Sequence, residues 1–146
     1  MDLGGAFSFA AQLEMVRALP LWSAPGPESG LPEGEYIDQL YLVTHIVFTA
    51  SQWGSVRLDS TNFANEFGAL ERGLVEARRR CDVELVGEVA QCLKILGLKE
   101  DRHAALREAC EWLVARQESS GAWSGADVDY RTRNHSTMCA VGALLA

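Results

Sequence analysis

Apolar residues recur three and four positions apart along almost the whole chain, and they never alternate with period two for more than a few residues. That spacing collects side chains on one stripe of an α-helix and is wrong for a half-buried strand. Six helices fit the pattern. The first carries Phe9, Leu13, Val16 and Leu19 and is stopped by Pro20. The second runs from Glu35 to Trp53 and is closed by Gly54. The third spans Thr61 to Arg80, with Ser60 or Asp59 as cap and Phe63, Phe67, Leu70, Leu74 and Ala77 as its stripe. Arg78, Arg79 and Arg80 fall in its last turn, where cations suit the helix dipole, so they are not read as a binding patch. Asp82 caps a fourth helix that buries Leu85, Val89, Cys92 and Leu96 and ends at Gly97. A fifth, from Asp101 to Gln117, buries Leu106, Cys110 and Leu113. The sixth starts near Tyr130 and continues to the last residue. Helices in antiparallel succession make one all-α domain over residues 1–146, about six helices in all.

Composition excludes several classes. With 146 residues and 48% hydrophobic content, the chain has the material for an ordinary core and is not disordered. Twenty acidic against thirteen basic residues, a net charge of −7, argue against a nucleic-acid partner. The longest nearly apolar run, Leu40 to Ala50, contains Thr44 and His45 and is too short to span a bilayer. The opening Met-Asp-Leu-Gly-Gly lacks the basic start of a secretory signal. Cys81, Cys92, Cys110 and Cys139 are widely spaced, without Cys-x-x-Cys, and read as reduced core thiols of a cytoplasmic protein.

Three segments depart from the ordinary amphipathic helix. Residues 20–35 hold all four prolines and form the longest loop, either a lid or a plain surface connection. The second helix is apolar all round at Leu40 to Phe48 and is expected to be an interior helix. The last ends in Val141-Gly142-Ala143-Leu144-Leu145-Ala146 without a polar residue or a cap. Either a partner covers it or the chain is a piece of something longer.

At Trp112-Leu113-Val114-Ala115-Arg116-Gln117-Glu118-Ser119-Ser120-Gly121-Ala122-Trp123 the sequence resembles the QW repeat of squalene and oxidosqualene cyclases. In such a turn a Gln at a helix C-terminus bonds the next turn's backbone, Gly permits the tight turn, and Trp stacks over it. The stretch from Asn134 to Leu144, preceded by Asp129-Tyr130, is similar to the helix after such a turn in prenyltransferase β subunits. Over residues 112–144 the resemblance implies the α/α-toroid superfamily, in which inner and outer helices alternate around a cavity. Six helices would be about half of that ring, a half-ring or small helical barrel. The Asp-x-Asp-Asp motif of the triterpene cyclases is absent, Asp127-Val128-Asp129-Tyr130 being a partial echo. The zinc Asp-x-Cys pair of the protein prenyltransferases is also missing, although His135 falls where their zinc histidine would be. Neither activity carries over.

Asp38, Tyr41 and His45, at i, i+3 and i+7, share one face of the second helix. If the second and last helices are both inner ones, His45 and His135 point into one cavity. There they would do acid/base work, with Asp38 orienting His45 and Tyr41 in support. The bland alternative is a pair of histidines satisfied by neighbouring carbonyls or carboxylates. Glu84, Glu88 and Gln91 form another stripe, which either faces the histidines through Glu88 or is simply solvated. Phe48, Glu88, Trp123, Tyr130 and Thr137 are the expected substrate contacts. No cofactor is required; a divalent metal on His45, His135 and Glu88 stays open, without compact ligand spacing to support it. Cys139, four residues after His135, reads as packing, and His103 as a surface residue beside Asp101 and Arg102. No Gly-rich phosphate loop, Gly-x-Ser-x-Gly or His-Glu-x-x-His occurs.

The expected function is therefore a small terpene-cyclase- or prenyltransferase-like enzyme of secondary metabolism. It would cyclise or isomerise an apolar small molecule by acid/base chemistry, with a homodimer, a longer chain or a partner completing the ring. The alternative is a non-catalytic binding or assembly module that dimerises through its apolar last helix.

Overall fold

The computed structural model describes residues 9–18, 32–123 and 128–146. Among them the fold is all-α, with six α-helices and no strand: α1 Phe9–Arg17, α2 Glu33–Ala50, α3 Ala64–Arg79, α4 Val83–Ile95, α5 Ala104–Val114 and α6 Tyr130–Leu145. A 3₁₀ turn, Ser60–Phe63, leads into α3. Most of the 20–35 loop lies outside the described residues, as do Leu19, Pro20 and Asp127; its last residues, from Glu33, belong to α2.

Helices α2 to α6 alternate between two layers. In one, α4 lies between α2 and α6; α3 and α5 pack on each other in the second and on α4. Sequential antiparallel helices joined by short connections produce this pattern, because each helix contacts its neighbour in sequence and its next-but-one neighbour in space.

Polar caps set the start of most elements. Asp59 accepts from the Thr61 amide, Asp82 from Leu85, and Asp129 from both Arg131 and Thr132. Asp129, the nearest approach to an acidic cyclase motif, is thus occupied in holding the first turn of α6. His103 is not a bare surface residue. Its Nδ1 accepts from the Leu106 amide as the cap of α5, while Nε2 lies 3.1 Å from Glu71.

The interior role expected of α2 passes to α4. Nine of its thirteen residues are buried, Leu85, Val86, Val89 and Leu93 completely. Its small residues let neighbours approach on several sides: a Cβ on Gly87 would stand 2.6 Å from the Cys139 carbonyl carbon of α6. α2 lies at the edge of its layer and leaves Asp38, His45 and Thr49 exposed. It also ends at Ala50, short of Trp53, because Gln52, Trp53 and Gly54 all adopt positive φ. In that turn Trp53 stacks on Phe48, ring centroids 5.2 Å apart.

α1 is docked by Leu13 and by Arg17, whose guanidinium meets the fully buried Glu66 at 2.8 Å and the Asn62 carbonyl at 2.9 Å. Three of the four cysteines are buried thiols and Cys81 is exposed, which corrects its reading as a core residue. Burial pushes the Cys110 thiol up to about 11.

In the Gln-x-x-x-Gly-x-Trp turn the expected glutamine bond and glycine conformation are present. Gln117 Nε2 donates to the Gly121 carbonyl at 3.0 Å, and Gly121 takes φ +85°. The buried Trp123 acts through a hydrogen bond: its indole N–H donates to the Leu113 carbonyl at 2.7 Å, tying the end of α5 to the approach of α6.

Candidate functional site

Three helices of one layer bring their polar residues into register. On α4, Glu84 and Glu88 are one helical turn apart and point along the same face. Each reaches α2 on one side and α6 on the other, so the site is a ladder of two rungs.

In the first rung, the Tyr41 hydroxyl donates to Glu84 Oε1 at 3.1 Å, and Glu84 Oε2 lies 3.0 Å from His135 Nδ1. The hydrogen bond that His135 donates to Glu84 raises the His135 pKa, since it favours the imidazolium. Burial, joined by the nearby carboxylates, raises the Tyr41 phenol well above the ordinary tyrosine value.

In the second rung, the Thr44 hydroxyl donates to Glu88 Oε2 at 2.6 Å, and the Cys139 thiol faces Glu88 Oε1 at 3.9 Å. His45 Nδ1 is 4.0 Å from the same carboxylate. Glu88 is only 3% exposed, and that burial raises its pKa against the opposing effect of Thr44. Cys139 is raised as well, by burial first and by the two carboxylates next, so it is a thiol rather than a thiolate.

The two histidines flank this buried core on the solvent side, with half of each side chain exposed. His45 Nδ1 lies 2.8 Å from the Tyr41 carbonyl oxygen. A carbonyl only accepts, so Nδ1 carries the proton of the neutral ring and Nε2 is left as the basic nitrogen. This backbone contact takes the orienting role expected of Asp38, which is exposed.

An open groove of about 950 Å³ adjoins the first rung. Tyr41, Glu84, Ser136 and Thr132 line it together with Asp82 and Glu118. Its walls mix these polar groups with apolar surface, Val83 included.

Of the expected catalytic residues, the structure brings Tyr41, His45 and His135 together around Glu84 and Glu88 and leaves Asp38 apart. Of the expected substrate contacts, Glu88 is at the centre and three others are structural. Phe48 is buried under Trp53, with its edge toward the His45 ring. Trp123 is buried and bonded to Leu113. Thr137 Oγ1 donates to the Arg133 carbonyl and accepts from the Trp123 amide. Tyr130 stands exposed at the first turn of α6.

Residues 32–143, which contain both rungs, match a domain family described as a domain of unknown function, DUF6895. The chain belongs to that family. No curated protein and no solved structure matches it. The match begins at the residue before α2 and includes every member of the ladder, so the site lies in the part of the chain that defines the family.

Glu84, Thr44 and Cys139 are the site residues that sequence reasoning underrated. Their signal was phase. Asp82 as cap puts Glu84 and Glu88 on one face, and Thr44 and Cys139 follow Tyr41 and His135 by about one turn on the helices either side.

Proposed function

We propose that this domain is a small-molecule enzyme of the isomerase or cyclase type, moving protons between His45, His135 and a ligand held beside Tyr41 and Glu84. The observation that carries the reading is the pair of half-exposed histidines, each within 4.0 Å of a carboxylate of α4; the open groove is lined by Tyr41 and Glu84, which they contact, and by neither imidazole. His45 Nε2 is the base, because its other nitrogen is occupied by the Tyr41 carbonyl. His135, hydrogen-bonded to Glu84, is the acid. Alternation of helices in two layers supports the toroid-like part of the reading. The hydrogen-bonding groups in the groove wall, Tyr41, Glu84 and Ser136 among them, favour a substrate with a hydrogen-bonding end over a bare hydrocarbon.

Proton transfer to and from carbon leaves a mass signature. Incubating the protein in D₂O with small-molecule extracts should yield protein-dependent deuterium incorporation into a product isomeric with its substrate. The His45→Gln variant, with unchanged circular dichroism, should lose it. Labelling that survives in that variant, or that never depends on the protein, would rule the reading out.

A second reading rests on a different face. α6 leaves Met138, Val141 and Leu145 exposed at i, i+3 and i+7, an apolar stripe suited to helix–helix pairing. A non-catalytic module that dimerises there should show twice its monomer mass in solution and revert to monomer on Met138→Glu. A monomer at all concentrations dismisses it.

A further inference from the structure

We propose that Glu88, His135 and Cys139 form a binding site for a borderline divalent cation of the zinc type. It rests on the donor geometry and not on the proton-transfer reading, in which His135 serves as acid only in the metal-free protein, and its readout is spectroscopic.

The donor set is one carboxylate oxygen, one imidazole nitrogen and one thiol sulfur, the mixture that zinc and cobalt accept and that magnesium or calcium does not. His135 and Cys139 stand four residues apart on α6, so both project from one helical face, and Glu88 meets them from α4. The three donor atoms all lie within 4.8 Å of one another. Cys139 Sγ is 3.9 Å from His135 Nδ1 and 3.9 Å from Glu88 Oε1. Around a tetrahedral zinc with bonds of ~2.3 Å to sulfur and ~2.0–2.1 Å to nitrogen or oxygen, those edges would be ~3.6 Å. Closing those two takes a few tenths of an ångström; the Glu88–His135 edge, within 4.8 Å against ~3.3 Å around the ion, closes by rotation of the half-exposed His135 side chain.

Charge argues the same way. Glu88 is buried and, among the described residues, is shown paired with no lysine or arginine; Thr44 and, at 4.0 Å, His45 meet Oε2, while Oε1 faces the Cys139 thiol at 3.9 Å. A buried carboxylate in that condition is costly unless a cation sits with it. Coordination through His135 Nδ1 replaces that nitrogen's hydrogen bond to Glu84. Cys139 binds as the thiolate, and its proton leaves to solvent as the metal–sulfur bond forms. Three protein ligands leave a fourth position on the exposed side of His135, open to water or to an oxygen of a ligand, and acid/base work then falls to His45.

Cobalt is the probe, in protein carrying Cys81→Ser so that the exposed thiol contributes nothing. After dialysis against EDTA, Co²⁺ should bind one-to-one, with a thiolate-to-cobalt charge-transfer band in the near ultraviolet and the intense visible bands of a four-coordinate ion. Zinc should displace it and raise the melting temperature. Cys139→Ser should abolish the charge-transfer band, and His135→Gln, a change on a half-exposed side chain that spares the core, should weaken binding by about tenfold or more. No saturable band at stoichiometric cobalt overturns the site. So does a band that persists in Cys139→Ser, or cobalt affinity indifferent to His135→Gln.

Discussion

The hydroxyl of Thr44 and the buried carboxylate of Glu88, forty-four residues apart in sequence, meet at 2.6 Å. That contact joins α2 to the central helix. Thr44 has one proton and two oxygens within reach, Glu88 Oε2 and the Tyr41 carbonyl at 2.9 Å. The shorter contact and the charge of the carboxylate decide for Glu88.

Thr44→Val keeps the shape of the side chain and removes the donor. The loss should destabilise the fold by about 1.5–3 kcal/mol, the range for a hydrogen bond to a charged group. Denaturant unfolding checks it, and Glu88→Gln in the same background should recover part of the loss, since a neutral amide is less costly to leave underbonded. If Thr44→Val costs nothing, the two residues do not meet as described.

Gly87→Ala puts a Cβ 2.6–2.9 Å from backbone atoms of Cys139 and Ala140. Backbone cannot turn aside, so α4 and α6 must separate. Overpacking of this kind costs about 1–3 kcal/mol, more than the ~1 kcal/mol of helix propensity gained. Gly142→Ala is the control. Its Cβ would meet only the side chain of Gln91, which can move. Thermal melts should show a clear loss for the first and little change for the second.

Trp123→Phe removes the indole N–H from the Leu113 carbonyl, which keeps a second donor in the Arg116 amide. The expected cost is therefore only about 1 kcal/mol. Trp123→Ala also empties a buried site and should cost about 3–5 kcal/mol. Equal effects from the two substitutions would show that the hydrogen bond, not the packing, holds the turn.

Lys94, almost wholly buried at the end of α4, donates to the Ala143 carbonyl of α6 and pairs with Glu100, each at 2.6 Å. Its hydrogen bond lowers the Glu100 pKa, and burial acts against it. A depressed carboxylate pKa contributes stability above its unfolded value, and that stability is lost as the pH falls through the folded value. Glu100→Gln should thus be less stable than the native chain at neutral pH, by less than about 1 kcal/mol because Glu100 is part-exposed. The difference should vanish in acid below the ordinary glutamate range. Melting curves across that interval decide it.

The sequence by itself determined the helices, because their signals are local. Apolar spacing, the caps Asp59 and Asp82, and the glycine that ends α4 each act within one or two turns. It placed Tyr41, His45, Glu88 and His135 among the residues to watch, since charged and imidazole groups inside apolar helices are conspicuous. It misjudged what depends on neighbours. Apolar content alone made α2 look central, but centrality comes from how many helices surround one, and that position belongs to α4. Trp123 and Thr137 looked like ligand contacts until their partners across the turn were known. Only the tertiary structure decided that Glu84 and Glu88 each bridge two helices. Which residue of α2 stands opposite which residue of α6 is a matter of rotation and axial shift between helices, set by packing at contacts such as Gly87 against Cys139.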